Sequence, residues 1–169
     1  MGIIHRDIKP HNIFRAQQSD GTQTWKVLDF GVSKLTASFA TITQGCVVGT
    51  PQYMSPEQAR GEAVDVRTDV YGIGAVLYRV LTGRPPMPGK GQAALFQAAH
   101  RRPKRPRQLA PEMSLHLEAV LALALAPKPA NRFQSVEALR RAFDQALDDQ
   151  LPEALLSRAK SVRWHTSSG

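Results

Sequence analysis

The residues with chemical capacity gather in three short segments of a 169-residue chain. The first, His5-Arg6-Asp7-Ile8-Lys9-Pro10-His11-Asn12, satisfies the pattern H-R-D-x-x-x-x-N in full. It places a carboxylate, an ammonium and a carboxamide close together in sequence, that is, a proton acceptor, a cation and a neutral oxygen donor. The second, Asp29-Phe30-Gly31, comes directly after a predicted strand, and the third is Gly49-Thr50-Pro51 with Ser55-Pro56-Glu57 behind it. Each is weak alone. Asp-Phe-Gly arises by chance in roughly 2% of random chains of this length. An isolated Asp7 or Asp29 reads more readily as a turn or cap residue, and Asp69 reads as a helix N-cap. The histidines show no metal-ligand spacing, and the single Cys46 excludes an internal disulfide.

Taken in order and spacing, the three segments resemble the catalytic and activation segments of protein kinases. The run GTPQYMSPEQ is similar to the serine/threonine kinases of the bacterial eukaryotic-like group, and Asn131-Arg132-Phe133 matches that family's C-terminal pattern. The resemblance covers residues 2–147. It implies a fold of class α+β, mainly α: the helical C-terminal lobe of a kinase with a small β-hairpin near the catalytic loop. It also implies the roles of single residues. Asp7 would accept the proton of the substrate hydroxyl, and Lys9 would neutralise the γ-phosphate of ATP. Asn12 and Asp29 would hold two magnesium ions through hard oxygen ligands, so Lys9, Asn12 and Asp29 would together meet the ATP phosphates. Thr50 would line the platform for the acceptor residue. His5 and Phe30 would join in the core, Asp69 would tie the catalytic loop to the helix it starts, and Glu57 with Arg132 would form a buried structural ion pair. Arg6 implies a switch by activation-loop phosphate, with Thr41 and Thr43, at the middle of that loop, as the acceptors.

The positioning elements follow from pattern. Residues 13–15 and 25–28 read as two strands joined by turn chemistry at Ser19-Asp20-Gly21. Residues 32–53 lack periodicity and read as a long functional loop. Residues 69–81 have almost no polar face, which predicts a helix buried on every side, ended by Gly83 and Pro85-Pro86. Helical patterns also run over 92–99, 115–125 and 136–147. The division expected is a partial kinase domain over 1–150 and a polar, frayed tail over 151–169.

With 42% hydrophobic and 21% charged residues, the chain falls in the range of folded domains. Its longest uncharged apolar run, residues 119–126, is too short to span a bilayer. Arg6 stands where a myristoylation motif wants Ser or Thr. No leader is evident, so a cytoplasmic location without a membrane segment is expected. The net charge is +8, and five basic residues fall within 101–107. This basic run reads first as a solvated loop, next as a docking patch for an acidic protein or membrane surface, and last as a nucleic-acid contact, because no aromatic residues are interleaved.

These 169 residues contain no G-x-G-x-x-G loop and no V-A-I-K lysine. The function expected is therefore phosphoryl transfer from ATP to Ser or Thr of proteins, carried by a fragment that lacks the ATP-binding small lobe. Such a fragment is expected to be inactive and poorly held together alone. The runner-up is a non-catalytic kinase-like interaction module.

Overall fold

Strand pairing opens the described structure. The computed structural model describes residues 4–28, 42–43, 46–47 and 50–165. Strands β1 (Ile13–Gln17) and β2 (Gln23–Val27) run antiparallel, in a register from Ile13 opposite Val27 to Gln17 opposite Gln23. The turn between them uses Asp20, whose carboxylate accepts from Thr22 N at 2.9 Å, and Gly21 at φ +81°, the left-handed conformation that glycine adopts without a Cβ penalty. The hairpin lies at the surface, with Phe14 and Trp25 exposed. Within the stretch read as irregular, β3 (Ile42–Thr43) and β4 (Cys46–Val47) form a second antiparallel pair.

The short helix α1 (Pro56–Arg60) starts at a capping box. Ser55 accepts from Gln58 N, the Gln58 side chain returns to Ser55 N, and Pro56 occupies the first helical position. Helix α2 (Val66–Thr82) begins three residues before the expected start. Its N-cap is Asp65, which accepts from Arg67 N, and it ends at Gly83 in the left-handed conformation. Helices α3 (Gly91–His100), α4 (Leu115–Ala124), α5 (Val136–Leu147) and α6 (Glu153–Lys160) complete the order. The α+β, mainly helical class expected from the sequence is the class observed.

The helix buried all round, past its first turn, is α4 and not α2. Every residue from Glu118 through Ala126 is buried, so the apolar run too short for a membrane is the centre of the core. In α2, Val70, Tyr71, Ala75 and Tyr78 are buried, but Ile73, Val76 and Leu77 are only half-buried and Val80 is 72% exposed. The helix approaches α4 through Gly74, where an added Cβ would meet Ala124 Cβ at 2.7 Å. Close packing there depends on the missing side chain.

The frayed tail is also corrected. Leu151, Leu155, Leu156, Ala159 and Val162 recur at helical spacing and pack, with Trp164, on the core formed by α4 and α5. Leu151 N donates to His116 Nδ1 at 3.0 Å, fixing the entry to α6. No helix among the described residues is long and apolar enough to cross a membrane.

Candidate active site

The catalytic-loop segment is held first through its backbone. Asp69, buried on the first turns of α2, accepts from His5 N at 2.8 Å and Arg6 N at 2.9 Å, one with each carboxylate oxygen. Arg6 sits at φ +65°, a left-handed conformation that costs a residue with a Cβ about 1–3 kcal/mol and persists only when its surroundings over-determine it. Here they do. Its N–H is held by Asp69, and its carbonyl accepts from Gln58 Nε2 at 2.7 Å. Two residues on, Ile8 passes so close to α2 that a Cβ on Gly72 would lie 3.0 Å from Ile8 Cβ.

This backbone turns three polar side chains onto one another. Lys9 Nζ donates to Asp7 Oδ2 at 2.9 Å, with both side chains less than one-fifth exposed. Asn12 is buried, and its Nδ2 donates to Asp7 O at 2.9 Å and Asp7 Oδ2 at 3.2 Å. Because the carboxamide nitrogen is spent on Asp7, its oxygen is the group left to act as a ligand. His5 is buried too. Its Nδ1 accepts from Asp7 N at 3.3 Å, which leaves the proton on Nε2 to donate to Leu28 O at 3.2 Å. Leu28 N in turn donates to Asn12 O at 2.8 Å. The residue immediately before Asp29 is thus tied at both its polar backbone atoms to the segment that carries Asp7.

Asp7 and Lys9 border a small depression of about 10 Å³, the room of roughly one water-sized group. Thr50, Arg6, Tyr53 and Met54 share its lining, so Thr50, forty-three residues away in sequence, comes to the same place as Asp7. Among the described residues, the Arg6 guanidinium has no acidic partner. Asp29, Phe30 and Thr41 lie outside the described residues, and Thr43 is described only as a backbone position in β3.

Glu57 and Arg132 meet as a buried pair, 2% and 0% exposed, through two parallel contacts of 2.7 Å. Arg132 spends its remaining donors on Ala126 O, Arg67 O and Pro127 O and lies over the Tyr71 ring at 4.9 Å. Thr68 Oγ1 donates to Glu57 at 2.9 Å. Burial alone would push the Glu57 carboxyl up, but the Arg132 hydrogen bonds and charge outweigh it and hold the group below its ordinary value. With every donor satisfied, the pair fastens α1, and with it Gln58, to the core.

Two positioning residues escaped the sequence reading. Gln58 was visible only as the fourth residue of a Ser-x-x-Gln capping box, and its hydrogen bond to Arg6 O spans 52 positions. Thr68 gave no local signal. Asp69, by contrast, does not cap α2, because that position belongs to Asp65.

Comparison with known proteins agrees with this geometry. The protein kinase domain family matches residues 1–143. The serine/threonine-protein kinase PknB of Mycobacterium leprae is 43% identical over 155 residues, 90% of this chain and 24% of its own length. Pkn1 of Myxococcus xanthus, also a serine/threonine-protein kinase, is 43% identical over 152 residues, 89% of this chain and 22% of its own length. The chain therefore spans about a quarter of the relatives it matches. With the H-R-D-x-x-x-x-N segment folded against α2 and the family matched over most of its length, this chain belongs to the protein kinase family, on the branch of the bacterial serine/threonine kinases.

Proposed function

We propose that this chain provides the catalytic loop and acceptor platform for ATP-dependent phosphorylation of serine or threonine on proteins, in the cytoplasm, with residues 1–150 as its kinase portion. The observation that carries the reading is the convergence of Asp7, Lys9 and Asn12 beside Thr50. In this role Asp7 takes the proton of the acceptor hydroxyl. Lys9, held at 2.9 Å from Asp7, supplies a positive charge where the transferred phosphate gains negative charge. Thr50 bounds the space into which the hydroxyl enters. Asp69 and Gln58 act through the backbone of Arg6, keeping the loop in a strained conformation so that Asp7 need not reorganise during reaction.

Magnesium fits what is described of its site. No cluster of three His, Cys, Asp or Glu occurs among the described residues, but the Asn12 carboxamide oxygen is a hard donor of the kind this ion takes. Asn12 and Asp29 would hold the metal, which when bound would absorb charge on the phosphate oxygens. Arg6, a half-buried guanidinium without an acidic partner among the described residues, supports a switch in which phosphate on Thr41 or Thr43 supplies about −1.5 to −2 charges to it.

The test is transfer of radiolabelled phosphate from ATP to a protein acceptor by the protein made from its own full reading frame, alongside Asp7→Asn. Label on serine or threonine that disappears in the variant supports the reading, and label that persists overturns it. The 169 residues alone, having no glycine-rich loop or its lysine partner, are expected to transfer none.

A further inference from the structure

On the side of the fold formed by the end of α2, the loop after it and the basic run, a cavity of about 470 Å³ opens to solvent. That size is within the range of pockets that take small ligands or peptide side chains. Its floor is apolar and rigid: Tyr78 and Met87 are each 1% exposed, Leu109 adds an aliphatic side, and Pro85, Pro86 and Pro88 form one wall. Its rim is cationic. Arg84, Arg101, Arg102 and Lys104 border it, and no acidic residue lines it. Among the described residues none of these four forms an ion pair.

The basic run was expected to be a solvated loop, and the structure divides it. Arg105 makes a two-pronged contact to Glu118, at 3.0 and 2.8 Å, and Arg107 N donates to the same carboxylate at 3.3 Å. Tyr78 Oη donates to Lys104 O at 2.9 Å. His165 N donates to Pro103 O at 2.9 Å, and Arg102 Nη1 donates to Arg163 O at 2.8 Å. The loop is thus pinned at both ends and from the side of α2, while Arg101, Arg102 and Lys104 border the pocket. One further polar atom in the lining, His165 Nδ1, is buried and has no hydrogen-bond partner. A buried polar atom without a partner is costly and rare, and here it borders the pocket, from which a ligand's polar group or a bridging water could satisfy it.

We infer that this pocket docks an acidic peptide segment of a protein partner, with one apolar side chain seated against Leu109, Pro85 and Pro88 and flanking carboxylates on Arg84, Arg101, Arg102 and Lys104. Charge complementarity selects acidic chemistry. Concavity and the proline wall favour a peptide over a flat lipid surface, because a preformed pocket spares the ordering cost of binding. Nucleic acid is disfavoured because neither Phe nor Trp lines the pocket and Tyr78 is buried with its hydroxyl occupied, whereas single-strand binding relies on exposed aromatic platforms. The inference does not rest on the phosphoryl-transfer reading, and its test contains no nucleotide.

The probe is a fluorescein-labelled pentapeptide, leucine flanked on each side by two glutamates, titrated by fluorescence anisotropy with the protein made from its full reading frame, in nucleotide-free buffer. The double variant Arg84→Glu, Arg101→Glu is expected to weaken binding at least tenfold. Replacing the peptide leucine by serine is expected to weaken it several-fold, and Arg158→Glu, an exposed charge on α6, is expected to leave it unchanged. Far-UV circular dichroism checks the fold, and if the double variant loses helix, the single Arg84→Glu variant is read by the same criterion with a threefold threshold. Equal binding by wild type and variant would overturn the inference. So would an equal loss with Arg158→Glu, indifference to the leucine, or displacement of the probe by duplex DNA or phosphatidylserine vesicles at lower concentration than by unlabelled peptide.

Discussion

Two charged segments of this molecule are built on the same plan and end differently. The loop around Asp7 and the loop over 101–107 are each fastened by a buried carboxylate from a neighbouring helix, Asp69 on α2 in one case and Glu118 on α4 in the other. In the first, the charges that remain turn inward on one another, Lys9 to Asp7 with Asn12 beside them. In the second, Arg101, Arg102 and Lys104 find no acid among the described residues and stand around a cavity. Anchoring a loop therefore does not decide what its side chains do. Whether acid and base lie within reach on the same short segment does: Asp7 and Lys9 are two residues apart, whereas 101–107 contains no acid at all.

The largest effect is expected behind the first loop. Arg132→Ala should destabilise the chain by about 3–5 kcal/mol, because Glu57 is left as a buried, unpaired charge; chemical denaturation monitored by circular dichroism measures it. The pH dependence has a defined sign. Glu57 is held below its ordinary 4.5 in the folded chain, so its contribution is present above that value and is lost as pH falls through the lower folded value. Below pH 4.5, stability should fall more steeply in the wild type than in Glu57→Gln.

Next in size is Asp7→Asn, expected to lower phosphoryl transfer by about 10²-fold or more while leaving the unfolding midpoint near wild type. Kinetics on the protein from its full reading frame checks it, and an intact rate would remove Asp7 from the role given to it. Asp69→Ala should cost about 1–3 kcal/mol, because one buried and one part-buried backbone donor lose their acceptor, and should also slow transfer by releasing Arg6 from its strained backbone. Glu118→Gln is the change on the other loop and should cost less, about 1 kcal/mol, since Arg105 is 48% exposed and water can solvate its guanidinium once the opposite charge is gone. If Glu118→Gln proved as costly as Asp69→Ala, the two anchors would be equivalent and the comparison would fail.

Much of this was legible in the sequence, and for local reasons. His5 to Asn12 is a contiguous motif, its members act on one another within six positions, and the hairpin after it announces itself by alternation and an Asp-Gly turn. Helices 92–99, 115–125 and 136–147 were legible from their spacing within a residue or two of their observed ends. Family and fold class could be read from those features alone, because each depends on residues near one another in the chain.

Tertiary structure decided what depends on distant partners. Local pattern marked α2 as the buried helix, yet α4 fills the centre, because Gly74 allows α4 to pass close on one side of α2 while Val80 remains in water. The tail read as polar by composition is helical, because its few apolar residues share one stripe and meet the core. Gln58 became a support of the catalytic loop across 52 positions. The basic run divided into Arg105 on Glu118 and a rim of Arg101, Arg102 and Lys104 only when Glu118 and Tyr78 arrived from α4 and α2. A residue type states which hydrogen bonds and charges it can offer; the fold alone states which partner comes close enough to accept them.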